Sequence, residues 1–315
     1  MTTTEITGKQ ILVTGGAGFI GSHLTRALVD ENDVRVLDAL TTGSRSNVPE
    51  EATFIEGDIR DETALERAID GVDLIFHEAA LVSVTRSIDE PTTSHAINVN
   101  ATLALLEKAR DHDARVVLAS SAAMYGHPET VPIDETAPKR PTSPYGIDKH
   151  TVDQYARQYH EQYGLEVVAL RYFNVFGPGQ VAGPYSGVIS VFLEQALAGE
   201  PITVEGDGSQ TRDFVYIDDI VQANCLAGTT DAVGRAFNVG TGESVTIRAV
   251  AERIQEQTGT DAEIVHVDPR SGDIEHSRAD ISAARSALGF EPTVSFDAGL
   301  EQTLEWYRGQ QTPTV

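Results

Sequence analysis

The stretch "KQILVTGGAGFIGSHLTRALVDENDVRVLDAL" constrains the fold of this chain more than any other, because an apolar run, a glycine cluster and a helical segment follow one another without a spacer. Ile11, Leu12 and Val13 form the short apolar run of a strand buried on both faces. Gly15, Gly18 and Gly21 then stand between that strand and a helix, where backbone can approach a pyrophosphate and the helix N-terminus faces its charge. Gly16, Gly18 and Gly21 satisfy the same spacing, so spacing leaves open which trio acts. Phe19 and Ile20, at the head of the helix, count with the glycines as cofactor-binding. Asp38 closes the following strand, where a carboxylate accepts from ribose hydroxyls and repels a 2′-phosphate. NAD, not NADP, is therefore the expected cofactor.

The rhythm repeats through "ATFIEGD", "VDLIFHEAA", "ARVVLASS" and "LEVVALRYFNVFG", separated by helical stretches such as "ETALERAID" and "NATLALLEKARDH". Such alternation predicts an α/β fold with a doubly wound parallel sheet of the Rossmann type. It breaks after Gly177, at "GPGQVAGPYSG". The expected organisation is a cofactor domain over 1–177, with 213–240 returning to its sheet, and a smaller, partly discontinuous substrate lobe over most of 178–315. Asp58 with its neighbour Ile59, and Ala79 with Ala80, fall at the carboxyl ends of successive strands, the edge at which open sheets bind ligands. Asp58 could accept from an adenine amino group, and the alanines leave room for a cofactor to pass.

Charge narrows the partners. The chain has 23 basic and 48 acidic residues, a net charge of −25, with lysine only at 9, 108, 139 and 149. Nonspecific nucleic-acid binding is not expected of such a surface. Asp and Glu are dispersed instead of forming a tail, a pattern that resembles proteins of salt-in halophiles. No apolar run approaches the length of a membrane span, and "MTTTEITGKQ" lacks the features of a signal peptide, so the cytoplasm is the expected compartment. Cys225 is alone, and without a Cys/His spacing pattern neither a disulfide nor a metal site is expected.

"PTSPYGIDKH" raises the possibility of catalysis. Tyr145 and Lys149, four residues apart, share one helix face that continues through Val152, Ala156, Tyr159 and Tyr163 and is read as facing protein. Taken alone, such a pair is equally a solvated surface pair. A tyrosine becomes a base near neutral pH only where something stabilises its phenolate, as a neighbouring ammonium does. Ser121, in "ASSAAMYG" at the end of another strand, would stand near the same edge and could hold a substrate hydroxyl for Tyr145 to deprotonate.

With the glycine loop, "SSAAMYG" and "SPYGIDK", nearly the whole chain resembles the extended short-chain dehydrogenase/reductase family. The resemblance implies that Ser121, Tyr145 and Lys149 perform hydride chemistry beside a nicotinamide, Tyr145 and Lys149 also touching the cofactor. Asn98, in "AINVNAT", matches the family's helix asparagine and counts with the cofactor-binding residues as support near the site. Asp148 departs from the small hydroxyl residue usual there; it is expected to face away from the nicotinamide, and its carboxylate could weaken the effect of the lysine on Tyr145.

"LRYFNVFGPGQ", "GDGSQTRDFVYIDDI", "FNVGTG" and "PRSGDIEHSRADISAARSALGF" are similar to the sugar-nucleotide branch, the NAD-dependent epimerases and dehydratases, closest to UDP-glucose 4-epimerases. By that resemblance Asn174, Arg212 and Arg270 bind the UDP diphosphate, Thr203 to Glu205 line the uracil, and Val188, Asp273 and Ser277 complete the substrate set. The alternative for the arginines is pairing of Arg212 with Asp213 and of Arg270 with Asp273, and both uses can coexist. The implied activity is 4-epimerisation of UDP-glucose and UDP-galactose through a 4-keto sugar with retained NAD. Serine at 277 leaves room for N-acetylated sugars. A homodimer contacting through helices near 96–112 and 146–163 is also implied.

Dehydratases of this branch have sites resembling "TDEVYG" where this chain reads "SAAMYG", and Ala122 and Ala123 cannot act as acid or base in water loss. Two readings remain beside the epimerase. A uronate-handling epimerase or decarboxylase would need a cationic or polar partner, for which Arg86, Ser83 and Thr85 lie in a loop near the site. A non-enzymatic nucleotide sensor would have no use for Ser121, Tyr145 and Lys149 together. The charge pattern makes its own prediction: screening of self-repulsion raises the thermal midpoint from dilute buffer to molar KCl. Greater stability in dilute buffer would refute it.

Overall fold

A computed structural model describes residues 6–181, 187–269 and 273–311. In chain order the strands are β1 (Gln10–Thr14), β2 (Asp33–Asp38), β3 (Thr53–Glu56), β4 (Leu74–His77), β5 (Arg115–Ser121), β6 (Val167–Tyr172), β7 (Asn174–Phe176), β8 (Ile202–Glu205), β9 (Thr211–Arg212), β10 (Phe214–Tyr216), β11 (Arg235–Val239), β12 (Val245–Thr246) and β13 (Ile264–Val267). The helices are α1 (Phe19–Leu28), α2 (Glu62–Ile69), α3 (Val84–Asp89), α4 (Pro91–His95), α5 (Ala101–Asp111), α6 (Pro144–Tyr163), α7 (Val188–Ala198), α8 (Ile217–Thr229), α9 (Ile247–Thr258), α10 (Ser282–Leu288) and α11 (Phe296–Gln311).

Seven parallel strands form the central sheet in the order β11-β6-β5-β4-β1-β2-β3. Its double winding follows from the apolar run of β1. Ile11 and Val13 point into one core with Leu24 and Leu28 of α1, while Leu12 points into a second with Leu65 of α2, Leu105 of α5 and Val152 of α6. Successive side chains alternate between faces, and both faces are covered. The order reverses between β1 and β4, which opens a crevice beyond their carboxyl ends.

The expected strand through "LEVVALRYFNVFG" is interrupted. β6 ends at Tyr172, and β7 leaves the sheet to pair in parallel with β10. Of the segment 213–240, β11 lies beside β6, whereas β10 stays with β7. Phe176 on β7 packs edge-on against Phe214 and meets Phe296 of α11 at 5.4 Å. Two further short pairs, β8 with β13 and β9 with β12, lie in the C-terminal part.

Helix α6 starts where the sequence permits. Ser143 caps it by accepting from the Gly146 amide at 3.1 Å, and Pro144 occupies the first turn, where no donor is missed. Gly164, at φ +74°, ends it. Val152, Ala156 and Tyr159 are buried as expected of the shared face, but Tyr163 is 55% exposed. The Tyr163 ring leans on Tyr159 and under Arg110 instead of entering the core.

Asp153 fixes α6 to the sheet. Its carboxylate receives two hydrogen bonds of 2.9 Å from Arg171 of β6 and one of 3.1 Å from Ser120 of β5, with Arg157 at 3.2 Å. Burial opposes its ionisation, but Arg171 and Arg157 outweigh burial and hold the carboxyl below its ordinary range. A carboxyl depressed in this way contributes stability that is complete above its unfolded pKa and is lost as pH falls through the folded one. Asp153→Asn leaves Arg171 buried without a counter-charge, and denaturant unfolding near neutral pH is expected to show a loss of about 3–5 kcal/mol. The difference from the unmodified protein narrows as pH falls.

Candidate active site

The glycine turn after β1 is fixed by its own packing. Gly15 has φ +71°, and a Cβ there would lie 2.7 Å from the Ala79 amide nitrogen. A Cβ on Gly16 would meet Val36 at 2.7 Å, and one on Gly21 would meet the Gly15 carbonyl at 2.3 Å. Gly15, Gly16 and Gly21 are thus each required, for different reasons. At Gly18 the nearest obstacle is the Gly15 carbonyl at 3.2 Å, so this residue is the least confined of the four. Gly18 is also the N-cap of α1, with no capping side chain and no acidic residue in the first turn. The first amides of the helix, those of Phe19 and Ile20 included, have no intrahelical partner and suit an anion.

Asp38 organises the adjoining loop. It accepts from the Ala17 amide at 2.9 Å and from the Leu40 amide at 2.8 Å. The Ala17 carbonyl accepts from the Ser44 amide and the Asn47 side chain, so the segment after β2 folds over the glycine turn. Neither Ser44 nor Asn47 was singled out from sequence; they follow the carboxylate in a turn-rich stretch that carries no spacing signal. Asp58 is clasped by Arg60 in a two-pronged ion pair at 2.9 and 2.6 Å, which holds its carboxyl below the ordinary range. Its neighbour Ile59 is buried. Ala79 and Ala80 follow β4 and are half-buried, the Ala79 amide donating to Thr14 Oγ1 at 3.3 Å.

A polar chain runs from there to α6. His77 lies between Thr14 Oγ1 at 2.7 Å and Thr102 Oγ1 at 2.8 Å, and burial pushes it down to about 3, so it is neutral. Thr102 donates to the Asn98 carbonyl. Asn98 occupies a single π-helical turn at Ala96–Asn100. Its side chain accepts from the Leu81 amide and donates to the Leu81 carbonyl and to Ser94 Oγ. These bonds use all its amide hydrogens, so Asn98 supports the loop after β4. Ser94 then donates to Asp148 at 2.6 Å, and His95 stands 3.0 Å from the other carboxylate oxygen. Asp148 is 3% exposed and joins α6 to α4.

Ser121, Tyr145 and Lys149 meet at the carboxyl end of β5. Ser121 is hydrogen-bonded to the phenol of Tyr145 and caps the turn at Ala122–Tyr125 through the Ala123 amide. The Tyr145 amide donates to Ser87 of α3 at 3.1 Å, which ties the first turn of α6 to α3. Lys149 donates to the Ala119 carbonyl at 2.7 Å and lies 6.0 Å from the Tyr145 ring centre. Lys149 was expected to lower the Tyr145 pKa. In the chain by itself burial dominates and pushes the phenol up, with the Glu78 charge acting in the same direction and the Ser121 hydrogen bond opposing. Lys149 is itself pulled by burial down to about 8. Glu78, absent from the sequence reading, therefore belongs to this cluster; it lay between His77 and Ala79 in a stretch read only as strand end.

The remaining residues expected to meet the substrate follow β6 in the chain. Asn174 is exposed at the start of β7, and Val188 is half-buried at the start of α7. Thr203 is held by Gln195 of α7 through its amide and its hydroxyl, which places β8. Arg212 pairs with Asp273 at 2.5 Å, and not with Asp213 as the alternative pairing supposed. Asp213 is buried and instead accepts from the amides of Thr241, Gly242 and Ala279. Arg270 lies outside the described residues. Ser277 is buried beside Thr211, to whose carbonyl its amide donates. An open hollow of about 480 Å³ is lined by Glu205, Gly206, Gln210, Pro269 and Asp273, with His127 on its wall. It brings the 203–205 segment and Asp273 together; His127 was not found from sequence, since a lone histidine in a loop gives no pattern. Arg86, Ser83 and Thr85 do not form a loop: Ser83 caps α3, and the Arg86 guanidinium lies 3.0 Å from Glu90 at the end of the same helix, just beyond its last residue.

Comparison with known proteins finds relatives over almost the whole chain. Residues 11–240 match the NAD dependent epimerase/dehydratase family. A UDP-glucose 4-epimerase of Mycolicibacterium smegmatis is 37% identical over 308 residues, covering 95% of this chain and 98% of that protein. Among solved structures, a UDP-N-acetylglucosamine 4-epimerase from Methanobrevibacter ruminantium in complex with UDP-N-acetylmuramic acid superposes with a TM-score of 0.94 at 39% identity, over 97% of this chain and 100% of that one. A UDP-glucose 4-epimerase with UDP-glucose from Thermotoga maritima gives 0.93 at 39% identity, over 96% and 100%.

Proposed function

The chain belongs to the NAD dependent epimerase/dehydratase family, and from that premise we propose that it interconverts UDP-glucose and UDP-galactose at C4 with a retained NAD. The observation that carries this reading is the meeting of Ser121, Tyr145 and Lys149 at one strand edge, with alanines at positions 122 and 123 of the turn that follows. The likeness to UDP-glucose 4-epimerases over almost the full chain supports the substrate class.

The residues present fit a dinucleotide. Gly15 and Gly21 could not carry a Cβ, Gly18 leaves the head of α1 uncapped, and Asp38 stands beside the turn. Gly15, Gly18, Gly21 and the amides of Phe19 and Ile20 would hold the pyrophosphate, and Asp38 the ribose. NAD, when bound, supplies the reversible hydride acceptor that lets C4 pass through a ketone, and its oxidised ring adds positive charge to the site. Ser121 orients the sugar 4-hydroxyl, and the Tyr145 oxygen takes the proton and later returns it. Lys149, as an ammonium, favours the phenolate against the burial that opposes it. Arg212 would exchange Asp273 for the diphosphate, a geometry a guanidinium meets with two parallel bonds. Residues 1–177 would thus hold the cofactor and most of 178–315 the nucleotide sugar.

A small serine at 277 and the likeness to a UDP-N-acetylglucosamine 4-epimerase support acceptance of UDP-GlcNAc as well. The uronate alternative is weakened by the engagement of Arg86 with Glu90. We read the dispersed acidity as adaptation to salt and the assembly as a homodimer, supported by Ile147, Tyr155 and Tyr163, which are 51%, 40% and 55% exposed on α6. Light scattering in molar KCl should then give twice the mass of the 33.9 kDa chain, and a monomer would refute the dimer.

NMR of sugar signals, after incubation in molar KCl with UDP-galactose or UDP-GlcNAc and no added NAD, is expected to show the C4 epimers. Tyr145→Phe should lower turnover at least about 10²-fold. No conversion of either sugar, even after NAD+ is supplied, would overturn the proposal.

A further inference from the structure

Glu78 is the acidic residue that the site description leaves without a task. It follows β4 at the crevice where the strand order reverses, and its amide donates to the Thr14 carbonyl. The register between β4 and β5 pairs His77 with Leu118, so Glu78 comes level with Ala119 one step further along. Adjacent strands lie about 5 Å apart. Ala119 is the residue whose carbonyl accepts from Lys149 at 2.7 Å, so the register brings Glu78 beside the anchor of the lysine. From behind, Tyr172 of β6 donates to Glu78 Oε1 at 2.9 Å and is itself held by Asn224 of α8 at 2.8 Å.

We propose that Glu78 is the counter-ion of Lys149, a positioning residue that keeps the lysine an ammonium inside the site and so keeps it able to stabilise the Tyr145 phenolate. The groups that face the pair support this. Tyr172 is pushed well up by burial and remains a protonated donor, and His77 is neutral, so neither brings charge. Burial pushes Glu78 up to about 7 and pulls Lys149 down to about 8, and each charge supports the other. Two acidic groups act on Lys149: Glu78, and more weakly Asp148, whose carboxylate is already engaged by Ser94 and His95. The carboxylate at 78 also opposes the phenolate directly, so its benefit to Tyr145 lies in the ammonium it sustains.

The inference rests on the epimerase reading for its consequence, but its main test does not depend on turnover. With lysines only at 9, 108, 139 and 149, selective 15N-lysine labelling of the holoenzyme gives few signals, and Lys149→Met assigns the one of interest. In Glu78→Gln, which keeps the acceptor for Tyr172, the Lys149 titration should move about one unit lower. The alkaline limb of kcat/KM should move with it. Glu78→Asp should restore the original titration, and Asp148→Asn should shift it less. An unchanged Lys149 titration in Glu78→Gln, or a larger shift in Asp148→Asn, overturns the proposal. Absence of epimerisation in the unmodified protein would sink the proposed function while leaving the lysine titration to decide the role of Glu78.

Discussion

Helix α6 carries three charged side chains into the protein, Asp148, Lys149 and Asp153, and the arrangement around them depends on each charge being met. A buried charge without a partner costs several kcal/mol, so a helix with this sequence can dock only where donors and acceptors are waiting. Arg171 and Ser120 wait for Asp153, Ser94 and His95 for Asp148, and the Ala119 carbonyl for Lys149. These partners come from β5, β6 and α4. Docking α6 therefore brings the strand ends and Tyr145 into one register, and the same ties that stabilise the fold aim Tyr145 at Ser121.

The opposite wall of the crevice is built from close backbone approach. Gly15 lets β1 and the chain beyond β4 touch, and the Asp38 carboxylate stitches the glycine turn to the following loop. The two walls are joined by a continuous polar chain through Thr14, His77, Thr102, Asn98 and Ser94 to Asp148. Every link has a donor and an acceptor, which is the condition under which buried polar groups give rigidity instead of instability. Asn98, whose side chain is spent on Leu81 and Ser94, acts through this rigidity.

Much of this was legible in the sequence. The apolar run at Ile11 to Val13, the glycine spacing and the alternation of strands and helices determined a doubly wound sheet, because strand period, helix period and turn chemistry are local properties. The Tyr145–Lys149 spacing determined a shared helix face for the same reason. Asp38 was readable because its place at a strand end follows from the strand itself.

What only the tertiary structure decided are pairings between distant segments, on which spacing is silent. Strand register sets Glu78 level with Ala119, whose carbonyl holds Lys149, Arg212 takes Asp273 in place of its neighbour Asp213, and Tyr163 stays exposed against Tyr159 and Arg110. The sign of the burial effect on Tyr145 belongs here too: the spacing predicted a lysine that lowers its pKa, whereas the enclosed site raises it. Local sequence determines which groups a helix or strand presents, but charge and desolvation depend on what surrounds them in three dimensions, and that is set by packing.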